Sequence, residues 1–180
     1  MPTRPPVLPG SIATEESPVD RALQLALAGE RDAALRWAAA VVQQDPAMPT
    51  ALIVTGRLLG EGGREEVARE ACSVAVKRAV DVENLPLAVC AAREAERFGA
   101  DPSPLLDEIA AAFCKDSERQ GAGATPPVPL PGAKAFSPLA SVLTGVALIN
   151  KATALIHDAT RAAQTATRPP IGGVSLFSTL

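Results

Sequence analysis

Side chains able to carry out chemistry are few in this chain and far apart. It has a single histidine, His157, next to Asp158, and three cysteines, Cys72, Cys90 and Cys114, with no Cys-x-x-Cys pair. Acyl, phosphoryl or proton transfer needs a nucleophile with a base, two converging carboxylates, or a metal held by several ligands. Neighbours on a helix diverge by about 100°, so His157 and Asp158 make no natural dyad, and an exposed or interface histidine is expected. The cysteine spacing fits neither a disulfide framework nor a zinc site. It fits three buried thiols in a reducing compartment. Gly60-Glu61-Gly62-Gly63 and Gly121-Ala122-Gly123-Ala124 lack the Lys-Ser/Thr of a phosphate loop and read as turn and linker glycines. Glu65-Glu66 suits the positive start of a helix rather than a catalytic pair. No catalytic residue, metal ligand or cofactor is therefore expected, and the chain does not read as an enzyme.

The composition says what could position such residues. Of 180 residues 47% are apolar, yet only 3% are aromatic and none is tyrosine. Sheets rely on aromatic and β-branched side chains; alanine-rich chains favour closely packed helices. The expected class is all-α. Net charge is −3, with 11 basic against 17 acidic residues in 18–118 and 5 basic against one acidic in 119–180. Lys77-Arg78, the densest basic pair, sits among acids, so nucleic acid is not an expected partner. Residues 1–10 hold prolines instead of an apolar signal core. The longest weakly charged apolar stretch, 139–149, is far short of the ~20 residues a bilayer span needs. A cytoplasmic protein is expected, with membrane association disfavoured.

Along the chain, proline-rich residues 1–17 read as a disordered arm. Order begins at Ser17-Pro18, a cap followed by a helix-opening proline. Six helical patterns follow, over about 18–28, 32–44, 49–59, 65–80, 84–98 and 103–115, stopped by Gly29, Asp45-Pro46, Gly60–Gly63 and Gly99. They form three antiparallel hairpins in a domain spanning 18–118. A Pro/Gly-rich linker covers 119–136, and one long amphipathic helix covers 137–166, with Leu139, Leu143 (or Val142), Val146, Ile149 and Ile156 on its apolar face. Residues 167–180 form a flexible tail with an apolar end. Trp37, the sole tryptophan, is expected to pack in a hairpin, with a partly exposed contact as the alternative.

Residues 29–46 repeat against the segment from Gly62 at an offset of 33, which pairs Gly29 with Gly62, Ala34 with Val67, Ala38 with Ala71 and Val41 with Val74. Through Gly29, Ala34-Leu35, Val42 and the Asp45-Pro46 stop, the segment resembles a tetratricopeptide-type repeat. Ala38 and Ala71 stand where that family prefers an aromatic. The resemblance implies stacked hairpins whose first helices line a groove for another protein, with Arg21, Gln24, Arg57 and Arg93 as groove candidates. A second resemblance joins Arg57-Leu58-Leu59-Gly60-Glu61-Gly62-Gly63-Arg64-Glu65-Glu66, Asn84-Leu85-Pro86-Leu87-Ala88-Val89, the 105–113 stretch and Leu176-Phe177-Ser178-Thr179-Leu180. Together they look like the helical front half of bacterial cyclic-nucleotide-binding regulators, in which a β-roll opens with such a Leu-Phe-Ser-x-Leu stretch. The roll and its phosphate cassette are missing here, so this chain alone is expected to bind no cyclic nucleotide. The expected function is a non-catalytic scaffold or adaptor that binds a protein. The alternative is the regulatory front half of a truncated cyclic-nucleotide-responsive signalling protein.

Overall fold

The computed structural model describes residues 17–114 and 136–166, and every regular element in them is helical. The helices are α1 (Pro18–Leu27), α2 (Arg31–Gln44), α3 (Pro49–Glu61), α4 (Glu65–Asp81), α5 (Leu85–Arg97), α6 (Ser103–Phe113) and α7 (Gly145–Ala166). The expected arm, most of the linker and the tail lie outside the described residues.

Local chemistry sets these boundaries. Pro18 and Pro49 open α1 and α3, where a missing N–H costs nothing. Ser17 Oγ accepts from Val19 N at 3.3 Å and Asn84 Oδ1 from Leu87 N at 3.1 Å, satisfying first-turn donors. Asp101 Oδ1 accepts from Ser103 N at 3.0 Å ahead of α6. That backbone donor, helped by the Ser103 hydroxyl, holds the Asp101 carboxyl below its ordinary value. Three turns place glycine in the left-handed region, Gly29, Gly63 and Gly99, while the α4–α5 turn uses Glu83 at φ 58°. The turns thus match Gly29 to Gly63, one residue beyond the sequence pairing with Gly62. Only Gly63 has the positive φ that this turn requires.

Small side chains decide the packing. α1, α3 and α5 lie side by side, and each packs on the helix that follows it, α3 on α4 most extensively. A Cβ on Gly56 would come within 2.8 Å of Ala71 Cβ, and one on Gly60 within 2.4 Å of the Phe98 ring. These two glycines let α3 sit close against α4 and against the end of α5. Leu52, Leu59, Val42 and Val76 are fully enclosed in the resulting core.

The C-terminal helix folds back. It packs on α2 and α4, whose backbones do not approach one another, and on α3. Leu148, Ala152, Ile156, Ala159 and Ala163 are its buried face. That face differs from the expected one. Of the expected set only Ile156 is fully enclosed, Leu139, Leu143 and Ile149 are partly covered, and Val142 and Val146 are 85% and 69% exposed. Alanines replace bulky residues because they let the helix approach its neighbours closely. The helix also begins later than 137. Residues 136–144 are a strap held to α2: Phe136 stacks on Trp37 at 5.5 Å, Leu139 N donates to Arg36 O at 3.2 Å, and Arg36 Nη1 donates to Leu143 O at 3.2 Å. Asp32 Oδ2 then accepts from Gly145 N at 3.0 Å, where the helix starts.

Candidate functional site

α7 covers one side of α3 and α4, and a groove lies between α1, α3 and α5. α3 contributes Thr50, Ile53, Val54 and Arg57, a stripe at i, i+3, i+4 and i+7 that lies along one helix face. α1 contributes Ser17, Val19, Asp20 and Leu23; α5 contributes Leu87, Cys90 and Glu94. Together they enclose a largely apolar cavity of about 370 Å³. Leu23 keeps 39% of its surface exposed there, although it is a large aliphatic residue.

At one end the cavity meets an ion-pair network. Glu61, last residue of α3, receives Arg57 Nε at 3.1 Å, Arg31 Nη2 at 3.2 Å and Arg97 Nη2 at 3.4 Å. Burial alone would raise the Glu61 carboxyl, but the hydrogen bonds from Arg57 and Arg31 and the charges of Arg57 and Arg97 outweigh it and hold it below 4.5. Glu94 is bound differently. Its oxygens lie 3.8 Å from Arg57 Nη1 and 3.9 Å from Arg97 Nη1, and Oε2, although buried, has no hydrogen-bond partner.

Of the sequence candidates, Arg57 lines the cavity. Arg21, Gln24 and Arg93 are exposed on the same helices but outside the lining, and Arg93 pairs with Glu96 at 2.8 Å. Each sits one residue from a lining position: Arg21 follows Asp20, Gln24 follows Leu23, and Arg93 precedes Glu94. One residue turns a side chain by about 100°, enough to leave the groove. Asp20, Leu23, Leu87 and Glu94 are among the lining residues absent from those candidates. The Thr50–Arg57 spacing is the usable signal, since its period shows which α3 residues share the groove face.

Elsewhere the reactive side chains are apart. His157 Nδ1 lies 2.9 Å from Glu70 Oε2, an α7–α4 contact, while Asp158 pairs with Arg161 at 3.4 Å. Cys72 is buried, but Cys90 and Cys114 are exposed, so the expectation of three buried thiols is corrected: α5 turns Cys90 into the groove, and Cys114 lies just past the end of α6. Burial pushes the Cys72 thiol up to about 12, with Glu94 and Cys90 adding to it, so it stays protonated. Among the described residues no three His, Cys, Asp or Glu gather as metal ligands, and no helix is long and apolar enough to cross a membrane. The Leu176–Leu180 motif of the second resemblance lies outside the described residues. No protein-family model, curated protein or solved structure matches this chain.

Proposed function

We propose that this chain is a non-catalytic interaction module that holds a segment of another protein in the groove formed by α1, α3 and α5. The observation that carries this reading is the apolar cleft between α1, α3 and α5, where Ile53 and Val54 form a buried floor while Leu23 stays 39% exposed and Leu87 only partly covered. The opposite side of α3 and α4 is filled by the chain's own α7. A folded chain gains free energy by covering aliphatic surface at about 25 cal/mol per Å², and a groove left uncovered in this way suits an apolar segment laid along it.

Cys90 gives a direct test, because it lines the groove and is exposed. With Cys114 changed to Ser, a photo-crosslinker on Cys90 should capture discrete partners from the native cell. Capture should fall sharply in Leu23→Asp, which puts a charge in the groove. It should persist in Leu27→Asp, a residue 90% exposed on the same helix but outside the lining. A capture pattern indifferent to Leu23→Asp overturns the proposal.

A further inference from the structure

The geometry points to a partner segment that is apolar and cationic, an aliphatic anchor flanked by lysine or arginine. This inference rests on the groove proposed above and adds the chemistry of what fills it. Three charged residues line the cavity: Asp20, Arg57 and Glu94. Their hydrogen bonding is unequal. Arg57 already donates to Glu61 at 3.1 Å, so an incoming carboxylate would have to compete with a resident one. Asp20 has no ion-pair partner among the described residues and is exposed. Glu94 is 81% covered, given a side-chain exposure of 19%, and its nearest cations stand at 3.8 and 3.9 Å, beyond hydrogen-bonding reach.

Arg57 and Arg97 offset the Glu94 charge as ion pairs, but neither donates a hydrogen bond to it. Oε2 is closed to solvent, so Oε1 is the oxygen to which an incoming ammonium or guanidinium would supply that donor. Asp20, on the opposite wall, provides a second anionic contact. Between them Leu23 and the partly covered Leu87 offer the aliphatic surface for the anchor. The arrangement therefore selects on charge as well as on apolarity, and selection on charge is where electrostatic complementarity acts most strongly.

Two synthetic fluorescein-labelled peptides test this with the full chain. Both carry one leucine- and alanine-based apolar stripe, and their polar positions are lysine in one and glutamate in the other. By fluorescence anisotropy at low salt, the lysine peptide should bind at least about tenfold tighter than the glutamate peptide. Added salt should narrow the gap. The pair Asp20→Asn and Glu94→Gln should abolish most of the preference while leaving apolar binding, and the uncharged Leu23→Ser should weaken both peptides. Equal binding of the two peptides, both weakened in Leu23→Ser, keeps the groove but overturns its charge selection. Failure of both peptides to bind, with or without residues 1–16, overturns the groove reading itself. Binding of the lysine peptide only after residues 1–16 are removed overturns the choice of an external partner and assigns the groove to the chain's own segment.

Discussion

Three arginines from three helices, Arg31 of α2, Arg57 of α3 and Arg97 of α5, converge on the carboxylate of Glu61. The pairs are partly exposed, and isolated surface pairs contribute little. Here, however, one acceptor ties together helices that are distant in sequence. The folded Glu61 carboxyl titrates below its unfolded value, so its contribution is present above 4.5 and is lost as pH falls through the depressed folded value. Glu61→Gln should therefore lower stability at neutral pH by on the order of 1 kcal/mol, after discounting for water and salt. In urea titrations the gap between variant and parent should be present at about pH 7 and shrink as pH falls below 4.5 through the depressed folded value. A gap of equal size across that range would assign the effect to packing and remove the electrostatic account. At this same scale the sequence was least legible. Arg57 could be placed because the repeat resemblance assigns α3 to the groove, but nothing in sequence reports that Glu94 lacks a hydrogen bond, since that depends on the guanidinium positions of Arg57 on α3 and Arg97 on its own helix.

Helices were the legible unit, because each boundary rests on local chemistry: a proline at the first turn, an Asn84 or Ser17 cap, a left-handed Gly29, Gly63 or Gly99. The exception is α7, whose first expected turns form the 136–144 strap. Its cause is tertiary, namely a Trp37–Phe136 stack and hydrogen bonds to Arg36 and Asp32, none of which leaves a periodic trace. The alanine face of α7 was hidden for a related reason, since apolarity alone ranks Val146 above Ala152. These contacts make α7 separable from the rest. Ile156→Asp places a charge at a fully buried position and should cost about 3 kcal/mol or more in docking. As the strap loosens, Trp37 should lose its stacked ring and its emission should shift to the red, while most far-ultraviolet helicity is retained. An unchanged Trp37 spectrum in a folded Ile156→Asp protein would mean that strap and helix are held independently.

Across the molecule, burial is distributed unevenly along the series of pairs. α3 and α4 each supply more of the enclosed core than any other helix, flanked by α2 and α7 on one side. α6 encloses only Ile109, with Leu105, Leu106 and Phe113 partly covered, and it packs far less extensively on α5 than α4 does on α3. In the α4–α5 turn and on α5, Val82, Leu85 and Val89 are exposed by 62, 41 and 37%. In a chain of successively packed helices, the last helix of the series, with one bare side, has the least to hold it. Local opening should follow that gradient, because its free energy scales with the apolar contact that must be broken. Native-state hydrogen exchange should show α6 amides opening at a small fraction of the global free energy, α5 next, and α3 and α4 only on global unfolding. Groove occupancy should raise protection in α5 and α1 together, since both contribute walls, and leave α6 almost as labile as before. Amides of α6 that exchange with the same free energy as those of α4 would make the chain one cooperative unit, and α5 would then be a fixed wall of the groove rather than its mobile edge.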